Sequence, residues 1–141
     1  MPLPPADDRR LLRRELRARR RAIHGAARVR AGRQLARRID AARWLRPGRR
    51  IGLYLAMPEE IDTAPLLRLA RQRGCRIALP RITSVRHDRM RFFEAGEGAV
   101  VRGAYGILAP RGARLVRARE MDIVFLPLVG FDARGNRIGM G

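Results

Sequence analysis

Arginine, rather than any nucleophile, is the residue best placed for chemistry in this chain. Arg9, Arg13 and Arg17 recur at i, i+4 and i+8, with Arg10 and Arg14 beside them. Three guanidinium forks on one helical face can meet an anion together, each charge-assisted contact being worth roughly 1.5–3 kcal/mol. A solvated basic face has the same spacing. A second cluster, Met57-Pro58-Glu59-Glu60-Ile61-Asp62, sets three carboxylates close together. They suit the hydrogen-bond donors of a heterocycle, the chain's own arginines, or plain acidity ahead of a helix capped by Thr63. A third runs from Gly130 to Gly141, GFDARGNRIGMG. Its glycines permit positive φ and close backbone approach, and Arg137 adds a fork matched to phosphate. A generic loop would also contain Gly139-x-Gly141, but the whole string behind an apolar run is more specific.

The usual reactive types are isolated. His24 and His87 stand apart from any cysteine or carboxylate group with metal-ligand spacing, and a surface role fits each. Cys75 is the one cysteine, which excludes an internal disulfide, and it opens an apolar run as a core residue would. Ser84 is the one serine, so no Ser, His and Asp set points to a hydrolase.

These clusters need elements to carry them. Asp7 or Asp8 can cap a helix running to about Ile23, with Leu12, Leu16 and Ile23 on one stripe. Beyond Gly25, a second helix from about Ala26 to Leu45 carries Ala31, Leu35, Ile39 and Ala42 on one face, and Arg46-Pro47-Gly48 ends it. From Arg50 the period changes. Arg50 to Ala56 reads as a buried strand, Thr63 to Arg73 as a helix with Leu66, Leu69 and Ala70 inward, and Cys75 to Pro80 as a second strand. Strand, helix, strand is the right-handed parallel crossover unit. Arg89 to Ala95 alternates weakly, as an edge or antiparallel strand does. Gly96 to Arg119 reads as loops with one short element at most, and Asp122 to Phe131 as a third buried strand. The expectation is an α/β domain over residues 1–141: an arginine-rich helical pair in 1–46, then an open, mostly parallel sheet flanked by helices in 50–141.

The last two clusters fall at the C-terminal ends of strands, where open α/β sheets bind ligands. A glycine-rich turn there ordinarily leads into a helix whose first amides cradle phosphate. Here the turn is present and the helix is not. The chain is therefore expected to stop inside a functional loop.

The 141 residues carry 32 basic and 13 acidic side chains, a formal charge of +19. Such a charge ordinarily points to nucleic acid. Two details oppose that. Every basic residue is arginine, with no lysine and a single asparagine, a pattern of codon bias more than of a selected phosphate surface. Residues 1–50 also hold 17 of the arginines but only Trp44 among the aromatics, so a base-stacking platform is absent there. No apolar run approaches the roughly 18 residues of a membrane span. A cytoplasmic protein, monomeric and without membrane or nucleic-acid partners, is expected, and a basic polyanion- or nucleic-acid-binding module on the same fold is the alternative.

Taken together, the segments resemble the 5-formyltetrahydrofolate cyclo-ligase family, also called the 5,10-methenyltetrahydrofolate synthetases. Arg9-Arg10-Leu11-Leu12-Arg13-Arg14-Glu15-Leu16 is similar to its K-x-x-L-R-x-E-L helix, with Arg9 where the family usually has Lys. Tyr54 to Thr63 resembles its strand-and-loop string, and Leu79-Pro80-Arg81, Met90-Arg91-Phe92 and Tyr105 to Pro110 follow in family order. Asp122 to Gly141 is similar to its most diagnostic block, D-[LI]-[VI]-x-x-P-x-[VL]-[AG]-F-D-x-x-G-x-R-[LI]-G-x-G.

The resemblance implies a three-layer cyclo-ligase sandwich, incomplete at its C-terminus, and an ATP-dependent ring closure of 5-formyltetrahydrofolate that requires Mg2+. By carry-over, Arg9, Arg10, Leu11, Leu12 and Arg13 would contact ATP from the first helix, and Arg137, Ile138, Gly139, Met140 and Gly141 would begin the nucleotide loop. Leu55 would pack on the pterin and Glu60 would accept hydrogen bonds from its amino and ring N–H groups, with Met57 beside the ring. Glu59 and Asp62 are left as loop structure. The family's magnesium-binding acid would lie beyond Gly141, so no metal ligand is assigned within the chain, and its activity as it stands is expected to be impaired.

Overall fold

The computed structural model describes residues 6–87, 89–96, 100–103, 106, 108–111 and 114–139. Two 17-residue helices open the chain, α1 (Ala6–Ala22) and α2 (Gly25–Ala41). Asp7 and Asp8 lie inside the first turn of α1 rather than ahead of it, where acidic residues suit the helix dipole. α2 stops four residues short of Leu45. Arg43 takes a left-handed φ of 56°, the Trp44 N–H reaches back to the Ile39 carbonyl, and Leu45 turns into the core.

A parallel crossover follows as expected: β1 (Arg50–Gly52), α3 (Ala64–Gln72) and β2 (Arg76–Ser84). β3 (Arg89–Glu94) returns antiparallel along β2. The glycine-rich stretch read as loops holds more order than expected, namely a hairpin of β4 (Val100–Arg102) and β5 (Leu108–Pro110), then β6 (Leu115–Val116) and a 3-10 turn at Ala118–Glu120. The run read as one strand from Asp122 to Phe131 is two pieces, β7 (Ile123–Val124) and β8 (Gly130–Phe131), the latter paired with β9 (Arg137–Ile138). Pro127 lies between them and has no N–H to offer a ladder.

The five-stranded sheet has the order β6-β3-β2-β1-β7. Its α/β class is the expected one, and the sheet is mixed: β1 runs parallel to both β2 and β7, while β3 is antiparallel to β2 and β6. Helices α2 and α3 cover one face, sealing Ile51, Leu53, Leu66, Ile77 and Leu79 with Ala36 and Leu45. Each large apolar side chain so buried contributes roughly 1.5–3 kcal/mol. On the other face Gly52 and Ala78 sit side by side, and Met121, Val124 and Phe92 close over Gly52.

An ion-pair chain ties together the N-terminal ends of the parallel strands. Glu94 binds Arg76 (2.7 Å) and Arg114 (3.2 Å), and Glu120 binds Arg114 (3.3 Å) and Arg50 (3.2 Å). Asp40 at the end of α2 takes a bidentate contact from Arg73 behind α3. Half-exposed pairs are worth at most about 1 kcal/mol each. Their consequence is positional: they commit several of the chain's carboxylates to the end of the sheet away from β1's C-terminus.

Candidate functional site

The opposite end, beyond the C-termini of β1 and β7, gathers the residues with chemical potential. Leu53 still hydrogen-bonds the Ala78 carbonyl and Phe125 that of Gly52, so Tyr54 and Leu55 leave the sheet from a fixed edge. The loop 57–62 then folds on itself. The Glu60 N–H donates to the Met57 carbonyl (2.9 Å), and Glu60 Oε2 accepts the Met57 N–H (2.8 Å). Glu60 is thereby held at 6% exposure, one of two buried polar residues among those described, with one carboxylate oxygen anchoring its own loop.

The other is Thr63, which was expected to cap α3. Its hydroxyl instead donates to the Tyr54 carbonyl (2.7 Å), pinning the strand end to the helix start, and Asp62 Oδ1 takes the Ala64 N–H (2.9 Å) in its place. Gly32 lets α2 approach this loop. A Cβ there would fall 2.5 Å from the Asp62 carbonyl oxygen. From α1, Arg20 (3.5 Å) and Arg21 (3.6 Å) both reach Glu59.

Two small cavities flank Glu60. A slot of about 170 Å3 is lined by Leu55, Met57, Glu60, Phe92, Phe125 and their neighbours. A second, about 190 Å3, lies between α1, α2 and the loop, with Arg20 and Arg28 among its walls. Tyr54, Glu60 and Pro127 stand between the two. Burial first, then the negative field of Glu60, pushes the Tyr54 phenol up to about 12, against an opposing pull from Arg20. Tyr54, Arg20 and Arg28 were not singled out by sequence reasoning. The signal was there in part, since Tyr54 precedes Leu55 and Arg20 continues the Arg9, Arg13, Arg17 face by one more turn.

The predicted nucleotide residues divide. Arg13 Nε donates to the Gly139 carbonyl (3.0 Å), joining α1 to the C-terminal loop across 126 residues of sequence. Leu16 packs over Gly130, and Arg9, on the Arg13 face, is partly buried. Arg10, Leu11 and Leu12 are exposed, as is Arg137 on β9, while Ile138 is partly buried and pairs with Gly130. Met140 and Gly141 lie outside the described residues. Residues 132–136 form the turn of the β8–β9 hairpin. Asp132 receives the N–H groups of Arg134 and Asn136 and the Asn136 side-chain amide, which with other backbone donors holds its carboxyl below the usual range, and Gly135 supplies a φ of 83°. Among the described residues no group of three His, Cys, Asp or Glu could hold a metal ion, and no helix is long and apolar enough to cross a membrane.

The family model of the 5-formyltetrahydrofolate cyclo-ligases matches residues 5–141. The chain belongs to this family. Its relatives include a mouse 5-formyltetrahydrofolate cyclo-ligase, 30% identical over 138 residues, and a Haemophilus influenzae 5-formyltetrahydrofolate cyclo-ligase, 29% identical over 99 residues. Those alignments take in 92% and 68% of this chain and span 68% and 53% of the relatives' own lengths. In fold the chain is similar to the NMR structure of Aquifex aeolicus 5,10-methenyltetrahydrofolate synthetase, with a TM-score of 0.82 at 21% identity over 94% of this chain and 67% of that one. It is similar also to a Mycoplasma pneumoniae 5,10-methenyltetrahydrofolate synthetase, with a TM-score of 0.72 at 18% identity over 95% and 72%. The cyclo-ligase family is a family of enzymes, and the mixed sheet with its flanking helices is the fold these structures share with the chain.

Proposed function

We propose that this chain carries the folate slot and part of the nucleotide site for ATP-dependent conversion of 5-formyltetrahydrofolate to 5,10-methenyltetrahydrofolate, with release of ADP and phosphate. The observation that carries the reading is Leu55 and a buried Glu60 on one ring-sized slot at the C-terminal strand edge. Arg13 of α1 reaches the Gly139 carbonyl, which joins the first helix to the start of the nucleotide loop.

In this reading the formyl oxygen attacks the γ-phosphorus of ATP and the bond to the β-phosphate oxygen breaks, so that ADP leaves. The formyl carbon becomes an iminium phosphate. The second folate nitrogen attacks that carbon and closes the ring, its proton is lost, and the C–O bond to phosphate breaks to leave the methenyl bridge. No protein nucleophile is required, in keeping with the absence of a Ser, His and Asp set. What the chain supplies is placement and charge. Glu60 accepts hydrogen bonds from the pterin amino and ring N–H groups, Leu55 packs against the ring and Met57 lies beside it. Arg9, Arg13 and Arg137 neutralise phosphate oxygens, joined by the main chain of Arg10, Leu11, Leu12 and residues 138–141. Mg2+ enters this reading as the partner of ATP, a role phosphate-bound magnesium commonly has. A cytoplasmic, monomeric protein belongs to the same reading.

Glu60→Gln tests it, because the amide keeps the shape but donates where the carboxylate accepts. Calorimetric titration with 5-formyltetrahydrofolate should show binding weakened about tenfold or more, since a hydrogen bond to a charged group is worth roughly 1.5–3 kcal/mol. Methenyl-folate absorbance, followed with ATP and magnesium, reads the reaction itself. Unchanged folate affinity in Glu60→Gln would remove the basis of the proposal.

A further inference from the structure

The outer side of the helical layer has a charge pattern that codon bias does not account for. Residues 25–49 and 64–75, which make up α2, α3 and the turns behind them, hold eleven of the chain's 32 arginines but one of its 13 acids. Codon bias raises arginine throughout a chain and does not clear acids from one layer of it. The one acid, Asp40, is closed off by the bidentate contact from Arg73, which also ties the end of α2 to the end of α3. None of the other ten arginines makes an ion pair among the described residues.

The helix period decides which of them point outward. Leu35, Ala36 and Ile39 turn onto the core, so Arg30, Arg33 and Arg37, at i, i+3 and i+7, share the exposed side of α2. On the neighbouring α3, Arg68 is exposed between the buried Leu66 and Ala70. The turn after α2 adds Arg43 and Arg46, both exposed, with Arg46 Nε seated on the Arg43 carbonyl (3.1 Å). Arg30 and Arg37 stand about 10 Å apart along the helix. Over that length a nucleic-acid duplex presents about six negative charges.

The remaining chemistry of the face narrows the occupant. A bilayer takes up the apolar side of a helix, and that of α2 is spent on the core. Single strands and RNA are held by stacking aromatics or by partners for the 2′-hydroxyl. Trp44 is the one aromatic residue in 25–49 and 64–75, and these segments contain no Ser, Thr or Asn. What the face offers is an array of guanidinium groups on a rigid backing, which meets phosphates without reading bases.

We propose that the outer face of α2 and α3 binds the phosphate backbone of double-stranded DNA without sequence preference. Composition alone points away from nucleic acid, because arginine is plentiful everywhere; the segregation of the acids points back. The proposal involves neither the slot beside Glu60 nor the nucleotide residues and stands apart from the folate reading.

Fluorescence anisotropy of a labelled, mixed-sequence DNA duplex tests it, with affinity followed from about 50 to 200 mM salt. Five phosphate contacts should give a slope of log K against log salt of about −4.5, and Arg30→Gln/Arg33→Gln/Arg37→Gln should make it shallower by about 2.7. The same three positions changed to lysine keep the charge and should keep the slope. Arg86→Gln/Arg91→Gln/Arg119→Gln removes as much charge from exposed positions off the helical layer and should leave the slope within about one of wild type. An equal loss of slope in both glutamine variants would reduce the effect to net charge and overturn the face, as would a wild-type chain that does not bind at the lowest salt. Single-stranded DNA or phosphatidylserine vesicles that compete as well as the duplex would overturn the occupant. If the triple variant does not fold, Arg33→Gln alone should lower the slope by about 0.9, and no change there would count against the face in the same way.

Discussion

Replacing Gly32 by alanine reverses the ordinary sign of a helix substitution. In a helix interior alanine is favoured over glycine by about 0.8–1.0 kcal/mol. At Gly32 the added Cβ would stand 2.5 Å from the Asp62 carbonyl oxygen and 3.1 Å from Asp62 Cβ. Favourable contacts lie at about 3.5–4.0 Å, so α2 and the loop must separate by about 1 Å. The obstructing oxygen is main chain, fixed on one side by the Asp62 contact to Ala64 and on the other by the Glu60 turn. Overpacking of this kind costs roughly 1–3 kcal/mol, and after the propensity gain the net loss should be about 1 kcal/mol, or a melting temperature lower by roughly 2–8 °C. Thermal melts by circular dichroism would measure it, with Arg33→Ala on the exposed side of the same helix as a control expected within about 0.5 kcal/mol of wild type. Folate affinity should fall in Gly32→Ala as well, because the displaced loop carries Glu60. A variant that melts at or above the wild-type temperature would refute the reasoning.

Thr63→Val keeps the shape but removes the hydroxyl that satisfies the Tyr54 carbonyl, and should cost about 1–3 kcal/mol in urea unfolding; an unchanged midpoint would mean that the carbonyl finds another donor. The chain has two tyrosines, and ultraviolet titration should show one ionising near pH 12, a signal abolished by Tyr54→Phe. Because the folded phenol binds its proton more tightly than the unfolded one, stability should fall as pH rises from about 10 toward 12, less so in the Phe variant. Asp40, Glu94, Glu120 and Asp132 are all held below their usual range: Asp40 by its hydrogen bond from Arg73, Glu94 by Arg76 and Arg114 against the upward push of burial, Glu120 by the Arg117 N–H, and Asp132 by Asn136. The unfolded chain then binds more protons, so stability should hold above about pH 5 and decline below about pH 4; a urea midpoint that stayed level to pH 3 would contradict this.

The parts of the fold legible in the sequence are those whose signal is local. Ile51 to Leu55 and Ile77 to Leu79 are apolar runs between turn residues, and the intervening helix begins and ends where Asp62, Thr63 and Gly74 suggest. What the sequence obscured depends on partners far along the chain. The β4–β5 hairpin has three-residue strands with no usable period and is held against β2, and the break at Pro127 hides within an otherwise unbroken apolar string. The end of α2 turns on a left-handed arginine, a backbone state that residue type gives no reason to expect. At the candidate site, Leu55 and Glu60 stood out because their string resembles the family's, and both line one slot. Tyr54 and Arg28 become site residues only when α1 and α2 close over the loop.

The surplus of arginine is best understood by where the carboxylates go. Asp40, Glu94, Glu120 and Asp122 are spent at the N-terminal ends of the parallel strands, on Arg73, Arg76, Arg114 and Arg50. At the opposite end Glu59 is taken by Arg20 and Arg21, and Glu60 is buried in its own turn. On α1 and the C-terminal hairpin Glu15 is taken by Arg19 and Asp132 is held by Asn136 and its own turn, so Arg9, Arg13 and Arg137 make no ion pair among the described residues. A charge of +19 spread evenly would be a poor guide to any one ligand. Divided in this way it leaves Arg9, Arg13 and Arg137 without an acidic partner among the described residues, as the proposed nucleotide site requires. Codon bias can raise the number of arginines, but it cannot place the acids, and it is the placing of the acids that decides which arginines are left for a ligand.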